Sequence, residues 1–133
     1  MNYKIDKFSK HNDDRGQLVV FLANHELNND YKEFGQIYFV TFEKKKVVRG
    51  NHFHKKWREW FGVVSGKLKV VLKDINTNEV VELILDGDSD EYQRLEIGPN
   101  IAHCFCSLTN KAELLNYTDT EWSNDDTFSY KLI

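Results

Sequence analysis

Residues 49–66 read RGNHFHKKWREWFGVVSG and hold two of the chain's five histidines, one residue apart. In an extended strand side chains alternate between faces, so His52 and His54 point the same way and Phe53 the other. A second extended run begins beside Arg58. In it Glu59, Phe61 and Val63 share one face, and Trp60, Gly62 and Val64 share the other. A tight connection between the two runs brings Glu59 alongside the histidines.

Outward from this stretch the chain is a series of short β-rich runs broken by turn residues. The spacing predicts strands at Gln17–Leu22, Gln36–Phe42, Val47–His54, Glu59–Val64, Lys67–Lys73, Glu79–Leu85, Tyr92–Ile97, Ile101–Ser107 and Ala112–Thr118. Ser65-Gly66 joins two strongly apolar runs, which suits a hairpin. Residues 74–78, 86–90 and Gly98-Pro99-Asn100 read as polar turns. Asn24–Glu33 is too polar for a long amphipathic helix. Strands at roughly ten-residue spacing indicate an all-β fold, an antiparallel barrel, closed or sandwiched. The cysteine spacing does not suit an immunoglobulin-like sandwich.

The length of 133 residues fits one domain, 1–133. With 18 basic and 21 acidic residues the net charge is −3, so no basic field attracts nucleic acid. Lys44, Lys45 and Lys46 read as a solvated turn. Met1–Lys10 lacks the apolar core of a signal peptide, and no window resembles a membrane span, so a cytoplasmic protein is expected. Cys104 and Cys106 read as reduced thiols in the core. No GxGxxG or P-loop motif is present, in keeping with chemistry that needs no redox cofactor. The acidic loop Asp86–Glu91 reads as a solvated hairpin, since Gly87 is misplaced for a calcium loop.

A further histidine, His103, follows Gly98-Pro99-Asn100. Imidazoles from His52, His54 and His103 with the Glu59 carboxylate form a set suited to a divalent transition metal, zinc foremost. The same histidines can instead work metal-free as acid–base groups, because an imidazole titrates near neutrality. The two uses exclude each other, since a metal-bound nitrogen is not a free base. Trp57 and Trp60 read as packing residues.

The composite His52-x-His54-x4-Glu59-x6-Gly66, followed by Pro99-x3-His103, resembles the two motifs of the cupin superfamily. Around it, GlyGlnIleTyrPheVal (35–40) and ArgGlyAsnHisPheHis (49–54) are similar to the cupin domain of capsule-pathway UDP-sugar reductase/epimerases. AspArgGly (14–16), HisLysLys (54–56) and the overall length resemble dTDP-4-oxo-6-deoxyglucose 3,4-ketoisomerases. Residues 97–105 and 113–119 resemble dTDP-4-dehydrorhamnose 3,5-epimerases. Together these resemblances span about residues 13–126.

They imply a cupin jelly-roll barrel, in a homodimer, that isomerises a nucleotide-diphosphate-linked 4-keto-6-deoxy hexose for surface polysaccharide. A base removes the proton beside the ketone and an enolate forms. Migration of the ketone from C4 to C3, or epimerisation at C3 or at C3 and C5, then follows. The implied roles are His52 as base, His54 as its partner or enolate stabiliser, and Tyr38 or Tyr117 as acid. Arg49 is expected on the diphosphate or sugar, with Asn51 and Lys55 as further substrate contacts, and Arg15 on the nucleotide phosphate, often across a dimer. Two positions depart from these relatives. Leu115 stands where the 3,5-epimerases carry a catalytic tyrosine, and glutamate is not usual in the 3,4-ketoisomerases at the place of Glu59. A non-catalytic ligand-binding cupin and a metal-dependent oxygenase are the alternatives.

Overall fold

The computed structural model describes residues 1–27 and 34–133. The alternation of the sequence becomes two facing antiparallel sheets. The strands are β1 (Tyr3–Ser9), β2 (His11–Asp13), β3 (Gly16–Leu18), β4 (Gln36–Phe42), β5 (Val48–Phe53), β6 (Glu59–Ser65), β7 (Lys67–Asp74), β8 (Val80–Asp86), β9 (Glu91–Ile97), β10 (Ile101–Ser107), β11 (Ala112–Thr118) and β12 (Phe128–Ser129). One sheet has the order β1-β9-β6-β11-β4, the other β12-β5-β10-β7-β8, and β2 and β3 form a separate hairpin. This is the all-β antiparallel jelly roll of the cupins. Among the described residues no helix is long and apolar enough to cross a membrane.

The core lies between the sheets. Phe42, Phe61, Val63 and Leu114 of the first meet Leu68, Val70, Leu72, Leu85 and Phe105 of the second, all buried. Each such side chain contributes about 1.5–3 kcal/mol by leaving water. Trp57 and Trp60 are buried, and both cysteines are free, Cys104 inside and Cys106 half-buried.

Several expectations change. Ser65-Gly66 is not a hairpin, because β6 and β7 belong to different sheets. It is a corner at which Gly66 takes φ +78°, and a Cβ there would lie 2.3 Å from the Lys111 carbonyl oxygen. In the run Gln17–Leu22 only the start is strand; after Leu18, Val19, Phe21 and Leu22 are half-buried and Val20 is exposed. Strands β1, β2 and β12 were not expected. The first is an edge whose Lys4, Asp6 and Lys7 obscure the alternation, and the last is held by tertiary contacts. Within Asn24–Glu33 the structure shows one turn of 3-10 helix at Asn24–Glu26, and residues 28–33 lie outside the described residues.

Candidate active site

Two adjacent strands bring the histidines together. In the β5–β10 ladder His52 stands directly across from His103, and the register shifts just after it. Gly50 makes that irregularity possible: it takes φ +102°, and a Cβ would come within 2.7 Å of the His103 carbonyl oxygen. His54 lies just beyond the end of β5, stacked on the Trp57 ring at 4.1 Å. The turn before β10 is tied to it, since Asn100 N–H donates to the His54 carbonyl at 2.7 Å.

The three imidazoles form a compact group. Ring centroids are 4.8 Å apart for His52 and His103, 4.9 Å for His52 and His54, and 5.8 Å for His54 and His103. One nitrogen from each falls within 4.8 Å of the other two. Glu59, at the start of β6 in the facing sheet, places Oε2 3.4 Å from His103 Nε2 and 3.7 Å from His54 Nε2. The four residues singled out in the sequence therefore converge.

Hydrogen bonds set which nitrogens are available. His103 Nδ1 lies 3.0 Å from the Ile101 carbonyl oxygen and His54 Nδ1 2.8 Å from that of Asp126. A carbonyl only accepts, so both rings carry their proton on Nδ1 and present bare Nε2 lone pairs toward Glu59. Such outer bonds are what metal-ligating histidines need, and three imidazoles with one carboxylate fit a divalent ion of the zinc type.

Burial opposes charge in this group. Desolvation lowers His52 and takes His54 down to about 4 and His103 to about 3; neighbouring imidazoles add to the last two. Desolvation, helped by the Asp119 charge, pushes the Glu59 carboxyl up to about 8. At neutral pH the group is three neutral imidazoles facing a protonated acid, since no partner repays the desolvation of an ion pair here.

His52 and His103 open onto a cavity of about 180 Å³ that Tyr38, Arg49 and Gly50 also line. Its remaining walls include Val40, Phe61, Phe105 and Leu114, an apolar floor under a polar mouth. Arg49 is exposed there, with its guanidinium over Phe42 and its Nε donating to the Thr41 carbonyl. Tyr38 is half-buried, and desolvation raises its hydroxyl further above the ordinary value, with the Glu59 charge adding to the effect. It stays protonated and able to donate.

Four expected site residues are brought neither to the histidine group nor to this cavity. Tyr117 projects from the other side of its strand, packs on Trp60 and Phe34, and lines a separate apolar cavity with Phe21 and Ile37. Asn51 is spent on the segment after residue 129: its Oδ1 accepts from Leu132 and Ile133 N–H and its Nδ2 donates to the Ile133 carbonyl. Lys55 places its ammonium over the Phe128 ring at 4.3 Å. Arg15 pairs with Asp13 on its own hairpin. Alternation explains the first, because Tyr117 is one place from the inward Asn116 on a regular strand. Asn51 takes φ +58° and Lys55 lies beyond the end of β5, so strand parity does not set their direction.

Sequence reasoning missed Asp126. It is buried, its carboxylate accepts from Lys55 and Lys56 N–H at 3.0 Å each, and its carbonyl holds His54. Nothing local in Ser123–Thr127 signals this, because the partners lie 70 to 72 residues away. Asn116, across the ladder from Tyr38, was missed too. It is fully buried and its Oδ1 has no hydrogen-bond partner among the described residues.

Comparison with known proteins follows this geometry. The family model described as "FdtA: WxcM-like, C-terminal" matches residues 1–131. A 3,4-ketoisomerase from Helicobacter canadensis superposes with a TM-score of 0.79 at 26% identity, covering 96% of this chain and 90% of that one. QdtA, a sugar 3,4-ketoisomerase from Thermoanaerobacterium thermosaccharolyticum in complex with TDP, gives 0.78 at 24% identity, covering 96% and 87%. The 3,5-epimerase RmlC from Legionella pneumophila, in complex with dTDP-4-keto-L-rhamnose, gives 0.80 at 22% identity, covering 96% and 71%. No curated protein matches.

Proposed function

Because the chain belongs to the FdtA, WxcM-like C-terminal family, we propose that it is a sugar-nucleotide isomerase, a 3,4-ketoisomerase acting on a nucleotide-diphosphate-linked 4-keto-6-deoxy hexose. The observation that carries this reading is the cavity in which His52 meets Tyr38 and Arg49. His52 is the half-buried member of the histidine group, is uncharged at neutral pH, and can accept a proton. The similarity to the Helicobacter canadensis 3,4-ketoisomerase supports the choice of reaction.

In this reading the ketone at C4 acidifies the C3–H bond. His52 takes that proton, the bonding pair becomes the C3–C4 double bond, and the carbonyl oxygen becomes an enolate. The Tyr38 hydroxyl donates to that oxygen. The Tyr38 proton passes to the C4 oxygen, and the His52 imidazolium returns its proton to C4. The C3 hydroxyl proton goes to the Tyr38 phenolate, which leaves a C4 hydroxyl and the ketone at C3. A positioned base contributes about 10²–10⁴-fold to such a step. His103, behind His52, supplies a polar back wall, and Arg49 at the mouth pairs with the diphosphate. Epimerisation needs an acid on the opposite sugar face, and Tyr117, one of the two candidates for it, lines the other cavity. Asn51 and Lys55 take no part in this scheme. Arg15 would reach the phosphate only across a homodimer, from the hairpin of a second copy.

The reaction is redox-neutral and needs no bound electron carrier. A divalent metal, if bound, would be held by His52, His54, Glu59 and His103 and would act as a Lewis acid at the enolate oxygen. Sugar supply for surface polysaccharide is the setting we infer.

Proton NMR in D₂O with dTDP-4-keto-6-deoxyglucose tests the proposal. Exchange at C3 with a 3-keto product is the expected result. Exchange at C3 or C5 with the ketone still at C4 would make it an epimerase. Absence of exchange with dTDP-, CDP- and UDP-linked substrates would sink the reading.

A further inference from the structure

His54 and His103 have the same hydrogen-bond pattern but obtain it differently. The acceptor for His103 Nδ1 is the Ile101 carbonyl, two residues away on its own strand. The acceptor for His54 Nδ1 is the Asp126 carbonyl, 72 residues away. His54 lies beyond the last residue of β5, so no ladder partner sets the direction of its ring.

The segment 123–133 provides that direction, and it is fastened at several points. Ser123 Oγ accepts from Asp125 N–H, and Thr127 Oγ1 donates back to the Ser123 carbonyl, which closes the 3-10 turn Asn124–Asp126. The Asp126 carboxylate then takes the N–H groups of Lys55 and Lys56, the two residues that follow His54. Further along, β12 pairs with β5, Phe128 stacks on Phe53 at 5.2 Å, and Asn51 ties down Leu132 and Ile133. The carboxylate and the carbonyl of one residue thus grip the chain on both sides of one histidine ring.

We propose that Asp126 is a positioning residue: with the strap 123–133 it locks His54 in the Nδ1–H tautomer and keeps its Nε2 lone pair turned toward Glu59 and the site. This inference rests on the reading of the histidine group as the reactive centre. The lock matters because a free imidazole exchanges tautomers, and a ring presenting N–H instead of a lone pair would donate where the site needs an acceptor. Groups that orient a functional histidine from behind typically matter by about ten- to a hundredfold.

The test is a long-range ¹H–¹⁵N correlation spectrum of the full chain labelled at histidine nitrogens, recorded without substrate. In the unmodified protein His54 and His103 are expected as Nδ1–H tautomers. With Asp126→Ala and Phe128→Ala combined, His54 is expected to average between tautomers while His103, held by its own strand, keeps its signal. Asp126→Asn retains one carboxamide acceptor and is expected to restore much of the His54 signal. In turnover the double variant should lose roughly ten- to a hundredfold in kcat with KM within about twofold. A His54 protonated on Nε2 in the unmodified protein, or one whose tautomer survives the double variant, would overturn the proposal. If the double variant loses the His103 signal too, it has unfolded, and Asp126→Ala alone is judged by the same criterion. A tautomer change in a protein that turns over no nucleotide sugar supports the positioning role and sinks only the functional reading.

Discussion

Two buried polar clusters in this barrel solve the same problem in opposite ways. Around Arg94 the charges are kept. Its guanidinium, 3% exposed, pairs with Asp6 at 3.0 Å and Glu26 at 2.9 Å, donates to the Phe21 carbonyl, and lies over Phe8. Both carboxylates remain 22% exposed, and Arg94 holds Glu26 below its usual range. Around Glu59 the charges are given up. Glu59, His54 and His103 are each about 3–4% exposed, and every member can shed its charge by exchanging a proton. A guanidinium cannot do so, and it therefore recruits counter-ions and fastens β1 and the turn at residues 23–26 to β9. The first cluster is built to hold charge; the second, in the proposed reading, backs the base His52.

The contrast breaks most sharply at His52. His52→Asn removes the open base but leaves the core and the Arg94 cluster untouched. Turnover is expected to fall by about 10²–10⁴-fold, with a melting temperature equal to that of the unmodified protein or slightly higher. A variant that lost activity only in proportion to lost folded protein would put the site in the structural class instead.

Arg94→Met is the reverse experiment. The two carboxylates it strands are partly hydrated, so the cost should fall below the 3–5 kcal/mol typical of a broken, fully buried pair, at about 2–3 kcal/mol. For a chain of this size that is roughly a 10 °C loss in melting temperature by calorimetry. The kcat of the remaining folded protein should be unchanged. A matching loss of kcat would mean that the two clusters are coupled through β9 and β6.

The pH dependence of stability separates the clusters further, with metal removed by chelation. Glu59 has a raised folded value, about 8 against 4.5. Its contribution is therefore complete below 4.5 and is lost as pH rises toward 8. His54 and His103 have depressed values, about 4 and 3 against 6.5, so their contribution is complete above 6.5 and is lost as pH falls through those values. Between 4.5 and 6.5 two histidines outweigh one glutamate and stability rises with pH; between 6.5 and 8 it falls. Urea unfolding across pH 4 to 9 should show a maximum near 6.5. Glu59→Gln, which mimics the protonated acid, should flatten the alkaline side and steepen the rise between 4.5 and 6.5. An unchanged alkaline side would show that Glu59 is already ionised at neutral pH.

Much of this was legible in the sequence. The strands from Gln36 to Thr118 emerge within about one residue of their expected limits, because each alternates cleanly between turn residues of known chemistry. His52, His54 and Glu59 were legible for the same reason, since side-chain parity within each run fixes the face each takes, and His103 was legible from the spacing Pro99-x3-His103. Parity also separated Trp60 from Glu59. Information that depends on register between distant strands was not legible. That Ser65-Gly66 turns a corner between sheets, that Asn51 and Lys55 face a strap seventy or more residues later, and that Asp126 grips His54 all require the three-dimensional pairing. Nothing local to β9 signals the role of Arg94, since its partners lie on β1 and the turn at Glu26.

Tyr117 offers the smallest effect and the finest discrimination. On β11 it stands opposite Ile37 of β4 and Trp60 of β6, while its neighbours Asn116 and Thr118 face inward with Tyr38 and Glu59. Its hydroxyl accepts from Gly35 N–H at 3.4 Å, a long bond whose loss costs about 1 kcal/mol or less. Tyr117→Phe keeps the ring on Trp60 and Phe34, so kcat should change by less than about twofold. Tyr38→Phe, one strand away but on the cavity side, should cost roughly tenfold or more. Equal losses from the two variants would mean that the outer face reaches the substrate through a second copy of the chain. A large loss confined to Tyr117→Phe would reverse the assignment of acid between the two faces of one sheet.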